Sequence, residues 1–575
     1  MSNNHRIVAF ERSPAYVHHR AMMNRRDNRV VDALELLRQA VERSPENREY
    51  KLDLAELYCE IGCHAQSNRL LLDMLAEKDS PAECYYGLAL NQLGMNDAAG
   101  ARKSLEIYRR REPQGAHAEE VMNLKAELDM FEELNAHGNR RLRRSARAAG
   151  RASEAMRDED VDRACRLFEA SLALAPGQRD VRALYAMALM LSGDGDAARR
   201  EAEKALAGYP APVRALCVCA QVFWHLGDAV RARQLVEAAV KADGEGQESY
   251  LILNTLGELG MDAELAEQAR LALQFAPYDR ELMHMRAVAL TKTGAPDDAV
   301  ERIWARILRI DPEDSVAAYF RKAAREGALR ADELSYDYQV PPREYRARSL
   351  ALLVQLARGS EAVKALWQED AEFRQLVRWA IAAEEPHISR AAISALAGID
   401  DADAQGLLRE VLFSRSVGSE LRIHGAMALK LRGRPLDALM PPEAGLTEEI
   451  LPEDEKLLAD LPVGERQLVR YADESLERRT GASALKALTL MWTAYRNLRG
   501  TDVDPLTHTQ AAAAALVYNY LLFYGAKPPI GALSREFRCP RRQLVYYARR
   551  LAGCMEKMEE VRAGTDAGSG EDNAR

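Results

Sequence analysis

The chain has 575 residues, 47% of them hydrophobic and 29% charged, with a formal net charge of −9 at neutral pH. That length admits several domains, and the balance is that of a folded soluble chain. So small a net charge excludes neither a basic nor an acidic partner and points to solubility alone. Aromatic residues are sparse at 6%, which favours helix over sheet.

Eight cysteines (Cys59, Cys63, Cys84, Cys165, Cys217, Cys219, Cys539 and Cys554) occur without a C-x-x-C pair. A chain of this size needs no disulfide staples, so a reducing compartment is expected. Cys59, Cys63 and His64 stand close together, but no second ligand pair follows, and packing explains the thiols better than a metal does. No metal or cofactor is expected. The first twenty residues lack the apolar core of a signal peptide. The most apolar run, Ala511–Ala526, is 16 residues broken by Asn519, short of the roughly 20 that span a bilayer. A cytoplasmic protein without membrane contact is expected.

In chain order, residues 12–113 carry weak helical hairpin signals: Ala33, Leu37, Ala40 and Pro45, then Leu54, Ala55, Tyr58, Gly62 and Leu71, then Gly87, Leu90, Gly94 and Ala99. Residues 114–144 interrupt them with a helical stretch and a basic segment. Six arginines fall between 140 and 151, best read as the solvated face of a helix rather than a nucleic-acid patch.

Residues 145–333 are periodic. Pro176, Pro210, Gly244, Pro277 and Asp311-Pro312 recur about every 34 positions. A turn sits between them at Gly193-Asp194, Gly227-Asp228, Gly260 and Gly294, followed by Ala198, Ala232, Ala266 and Ala299. Glycine stops one helix, proline ends the next, and small residues such as Ala186, Ala198 and Ala205 let the two axes approach. The frame resembles the tetratricopeptide repeat family over five units. That resemblance implies an all-α solenoid whose first helices line a concave groove for a peptide or helix of a protein partner. The residues it assigns to that groove are Arg214, Gln221, Trp224, Gln247, Tyr250, Asn254, Glu281 and His284. They do not match the Lys/Asn clamp by which chaperone-binding members grip a carboxylate.

The segment 336–346 (YDYQVPPREYR) holds a proline pair, which predicts an extended link at a boundary. Residues 344–434 resemble HEAT repeats, with Arg390 and Arg422 in corresponding second helices. Residues 435–454 contain four prolines and many acids, a linker composition. Residues 455–560 predict helices near 464–479, 482–498, 507–524, 529–537 and 540–558. The last two resemble a helix-turn-helix, although the turn position usually held by glycine is Arg538. In that alternative Arg535, Arg541, Arg542 and Gln543 would contact DNA. Residues 563–575 are expected to be disordered. No phosphate loop, H-E-x-x-H or G-x-S-x-G occurs. The expectation is therefore a non-enzymatic protein-binding scaffold, with a DNA-binding regulator as the alternative.

Overall fold

A computed structural model describes residues 13–553, apart from 441–460, 500–507 and short gaps of one to three residues. Among the described residues there are helices and no strand. Two compact units form: Met1–Cys63 with Gly115–Ala347, and His64–Gln114 with Arg348–Arg575. The N-terminal stretch 12–113 is divided between them.

The first unit is built on five consecutive hairpins. They are Arg140–Arg157 with Val161–Leu174, Arg179–Leu191 with Gly195–Leu206, and Val213–His225 with Ala229–Ala242. Ser249–Glu258 with Asp262–Phe275 and Arg280–Lys292 with Asp297–Ile310 follow. The Gly-Asp turn does two jobs at once. Gly193 takes φ +87° and Gly227 +81°, which only glycine adopts freely. Asp194 and Asp228 then cap the next helix, accepting from Ala197 N at 2.9 Å and Arg231 N at 3.1 Å. Ala186, Ala198, Ala202, Ala205, Ala232 and Ala239 lose all solvent contact, so the helices cross on methyl groups.

The fourth and fifth units depart from that frame. Second helices begin at Gly195, Ala229, Asp262 and Asp297, spacings of 34, 33 and 35. The slips move the crossing position from Ala266 and Ala299 to Leu265 and Val300, both fully buried. The expected alanines are only half-buried.

The basic segment is the first helix of the first hairpin. Ser145, Ala152 and Ala155 are buried on its inner side, while Arg141, Arg143, Arg144, Arg147 and Arg151 are exposed. The helices Pro14–Arg26, Val30–Arg43 and Arg48–Glu60 return to the fifth hairpin. Arg38 Nη1 donates to the Ile310 carbonyl at 2.8 Å, and Arg309 Nε donates to Glu35 at 2.7 Å. A cation at a helix C-terminus satisfies carbonyls that the helix leaves open.

In the second unit His64–Leu75 packs on Ala402–Phe413, where Arg69 Nε donates to Glu410 and Arg409 Nε to Asp73, both at 3.0 Å. Pro386–Leu396, Ala402–Phe413 and Ser419–Lys430 pack on one another. The C-terminal module contains Val463–Thr480, Leu485–Arg499, Thr509–Phe523, Ile530–Glu536 and a helix over 541–553. Ala511 through Val517 are all buried, as a helix apolar on every side must be. No helix among the described residues is long and apolar enough to cross a membrane. Most of the expected linker 435–454, the tail 563–575 and Gln247 lie outside the described residues.

Candidate partner-binding face

The first helices of the third and fourth hairpins present a polar stripe. Tyr250, Asn254 and Glu258 are exposed at i, i+4 and i+8 of one helix, a single face. Glu258 accepts from Gln221 Nε2 at 2.6 Å and lies 2.8 Å from His225 Nε2, while Arg214 lies 3.5 Å from Glu248. The stripe is thus knit across neighbouring repeats. Tyr250 donates to Asp279 Oδ2 at 2.6 Å; burial first, then that carboxylate, pushes its phenol up. Burial also raises the Glu281 carboxyl, with Asp279 adding to it. Trp224 is half-buried against the hairpin core, a packing role. The Asn254 side chain is exposed and makes no hydrogen bond to the described residues, which leaves both ends of its amide for a ligand.

One hairpin later the stripe closes. Gly260 and Gly294 are 34 positions apart, so Tyr250, Asn254 and Glu258 correspond to His284, Val288 and Lys292. His284 and Val288 lose all solvent contact. The expectation that His284 lines an open groove is therefore overturned: the chain's own residues 334–340 lie over it. Tyr338 meets its ring edge-on at 5.1 Å, and Trp304 Nε1 donates to its Nδ1 at 3.3 Å. Burial, the dominant cause, lowers the imidazole to about 4 against a smaller upward pull from Ser335, Asp314 and Asp337. Beside it Arg280 Nη1 donates to Asp311 at 2.8 Å and Asp314 at 2.9 Å, and Tyr338 donates to Asp314 Oδ2 at 2.7 Å. The stretch expected as an extended link, 336–346, instead bends over 336–339 and enters a helix at Pro342. The alternation Leu334-Ser-Tyr-Asp-Tyr-Gln-Val340 was the signal available, a period of two ended by Pro341-Pro342.

In the C-terminal module Arg541, Arg542, Val545, Tyr546, Arg549 and Arg550 share one stripe of the last helix. The four arginines are exposed and form no ion pair with the described residues; Arg550 lies 4.8 Å over the Tyr546 ring. Arg538 itself takes φ +48°, so the turn forms without glycine. Gln543 faces His508 at 3.3 Å and Arg535 donates to Gly531 of its own helix at 3.2 Å, so neither joins the stripe.

Burial pushes Cys63 and Cys217 up to about 11 and Cys219 to about 12.

Residues 155–210 match the family model described as tetratricopeptide repeat. The TPR repeat-containing protein YvcD of Bacillus subtilis (strain 168) is 31% identical over 130 residues, 22% of this chain and 27% of the relative; the matched part is thus about a quarter of that relative's length. Among solved structures, the TPR domain of P58(IPK) is 13% identical with TM-score 0.21, covering 67% of this chain and 98% of that one. Naa15/Naa10 bound to HypK-THB is 14% identical with TM-score 0.26, covering 95% and 81%. Yeast Tom70 is 12% identical with TM-score 0.21, covering 91% and 96%. The stretch that matches the tetratricopeptide repeat model takes in the glycine-turned, alanine-packed second hairpin.

Proposed function

We propose that this chain is a non-enzymatic cytoplasmic scaffold that holds an extended segment of a protein partner against its third and fourth first helices. The observation that carries the reading is the open polar stripe of Arg214, Gln221, Tyr250, Asn254 and Glu258, with the unpaired Asn254 amide at its centre. An amide offers one donor face and one acceptor, the pairing a peptide backbone needs. Tyr250 also supports the stripe through Asp279 and Gln221 through Glu258, so Asn254 is the cleaner target. In quantitative capture by the full chain, Asn254→Ala should deplete specific partners at least several-fold, with the melting temperature nearly unchanged. Partners captured equally by both forms would refute this site.

A second reading is favoured by the four unpaired arginines of the 541–553 helix, which suit a phosphate backbone. Duplex binding by the full chain should then weaken steeply with salt and be lost in Arg541→Ala with Arg542→Ala. No gel shift at micromolar protein in low salt removes it.

A further inference from the structure

Residues 334–340 lie on the fourth and fifth repeats as an irregular segment that seats two side chains. Leu334 and Val340 are buried and Tyr336 and Tyr338 half-buried, while Ser335, Asp337 and Gln339 face solvent. Alternate side chains thus face the repeats although the backbone bends over 336–339, where Gln339 N donates to the Asp337 carbonyl at 2.7 Å. Each tyrosine enters a seat prepared by the repeats. Tyr336 donates to Asp262 Oδ1 at 2.5 Å and lies under Lys292 Nζ, 4.2 Å from its ring centroid. Its ring also occupies the space a side chain at Gly257 would need, since a Cβ there would come within 2.7 Å of it. Tyr338 donates to Asp314 at 2.7 Å and covers His284. Phenol-to-carboxylate bonds are strong and directional, and the two seats are spaced for side chains at i and i+2.

We propose that these seats are a peptide-recognition site for a bent Tyr-x-Tyr segment, filled in cis by residues 334–340 and opened when a partner carrying the same chemistry replaces them. This rests on reading the repeats as a peptide-holding scaffold and names the partner class for the fifth unit. The Asn254 stripe is a separate seat, so capture there can fail without touching this site, and the reverse.

The seats consist of Gly257, Asp262, His284, Lys292 and Asp314. A covered site binds an added ligand more weakly by the fraction of time it is uncovered.

The test uses the full chain and a labelled synthetic peptide, DELSYDYQVPP, which repeats residues 332–342. In fluorescence anisotropy, Tyr336→Ala with Tyr338→Ala should bind the peptide saturably, and the unaltered chain about tenfold more weakly or worse. Adding Gly257→Ala to the double variant should abolish binding, because the methyl fills the Tyr336 seat while the helix itself gains propensity. A peptide with both tyrosines replaced by alanine should not bind. Should the double variant lose its helical circular dichroism, the unaltered chain supplies the measurement. Millimolar peptide should then speed hydrogen exchange at the amides of 335–340. A folded double variant that ignores the peptide, or exchange unaltered by it, overturns the proposal.

Discussion

The second and fifth hairpins share a backbone plan and differ in what fills it. In the second, Ala198, Ala202 and Ala205 make the inner edge of the second helix. In the fifth, the same edge is Val300, Trp304 and Ile307, all fully buried. Large side chains in a narrow crossing need surfaces beyond their own hairpin. Trp304 finds Phe320 of the following helix, stacked at 5.2 Å and 16°, and His284 in front of it. The N-terminal helices reach the same hairpin through Arg38 and Arg309. A repeat period fixes where helices turn and leaves the side chains free to make one unit a plain spacer and another a junction.

That contrast can be broken by exchange of side-chain size. Trp304→Ala should cost about 3–5 kcal/mol, the range for deleting a buried aromatic, and should loosen residues 334–340 as well, because His284 loses its backing. Ala202→Leu overpacks the spacer and should cost less, about 1–3 kcal/mol, without altering exchange at 334–340. Urea unfolding followed by helical signal, with hydrogen exchange on the same samples, checks both. Equal costs, or exchange at 334–340 rising in both variants, would mean that the fifth hairpin is no junction.

Much of the scaffold was legible because its signals are local. Gly193 with Asp194 and Gly227 with Asp228 specify a turn and a cap within a few residues. The helical runs of the C-terminal module needed only periodicity and length. The one-residue slips were legible only in part. The fourth second helix begins after Met261 and the fifth after Pro296, neither with a side-chain cap, so nothing local marked the new register. Leu265 and Val300 were therefore missed as crossing residues. The groove was harder still. Whether a first-helix position is open depends on what lies across it, and for His284 that is a segment some fifty positions later that helix-based reading had treated as a link. Tyr336 and Tyr338 bind Asp262 and Asp314, pairs that no local pattern announces.

The covered histidine gives the fifth hairpin a pH signature. His284 is held near 4 in the folded chain, against about 6.5 when unfolded. Between those values the unfolded chain takes up a proton that the folded chain refuses, so stability is full above about pH 6.5 and falls as pH drops toward 4. The whole window is worth on the order of 3 kcal/mol. Asp311 works in the opposite sense at its acid end, because burial raises that carboxyl and lets the folded state bind a proton early. His424 in the second unit is also lowered to about 4, by burial first and then by Arg390, so each unit's loss must be read separately. The measurement is hydrogen exchange across residues 280–340 at pH 7 and pH 5. Opening should become easier at pH 5 in the unaltered chain and change much less in His284→Gln, while exchange at residues 249–258 should respond similarly in both. An equal response of 280–340 in the two proteins would mean that His284 is not the group that titrates.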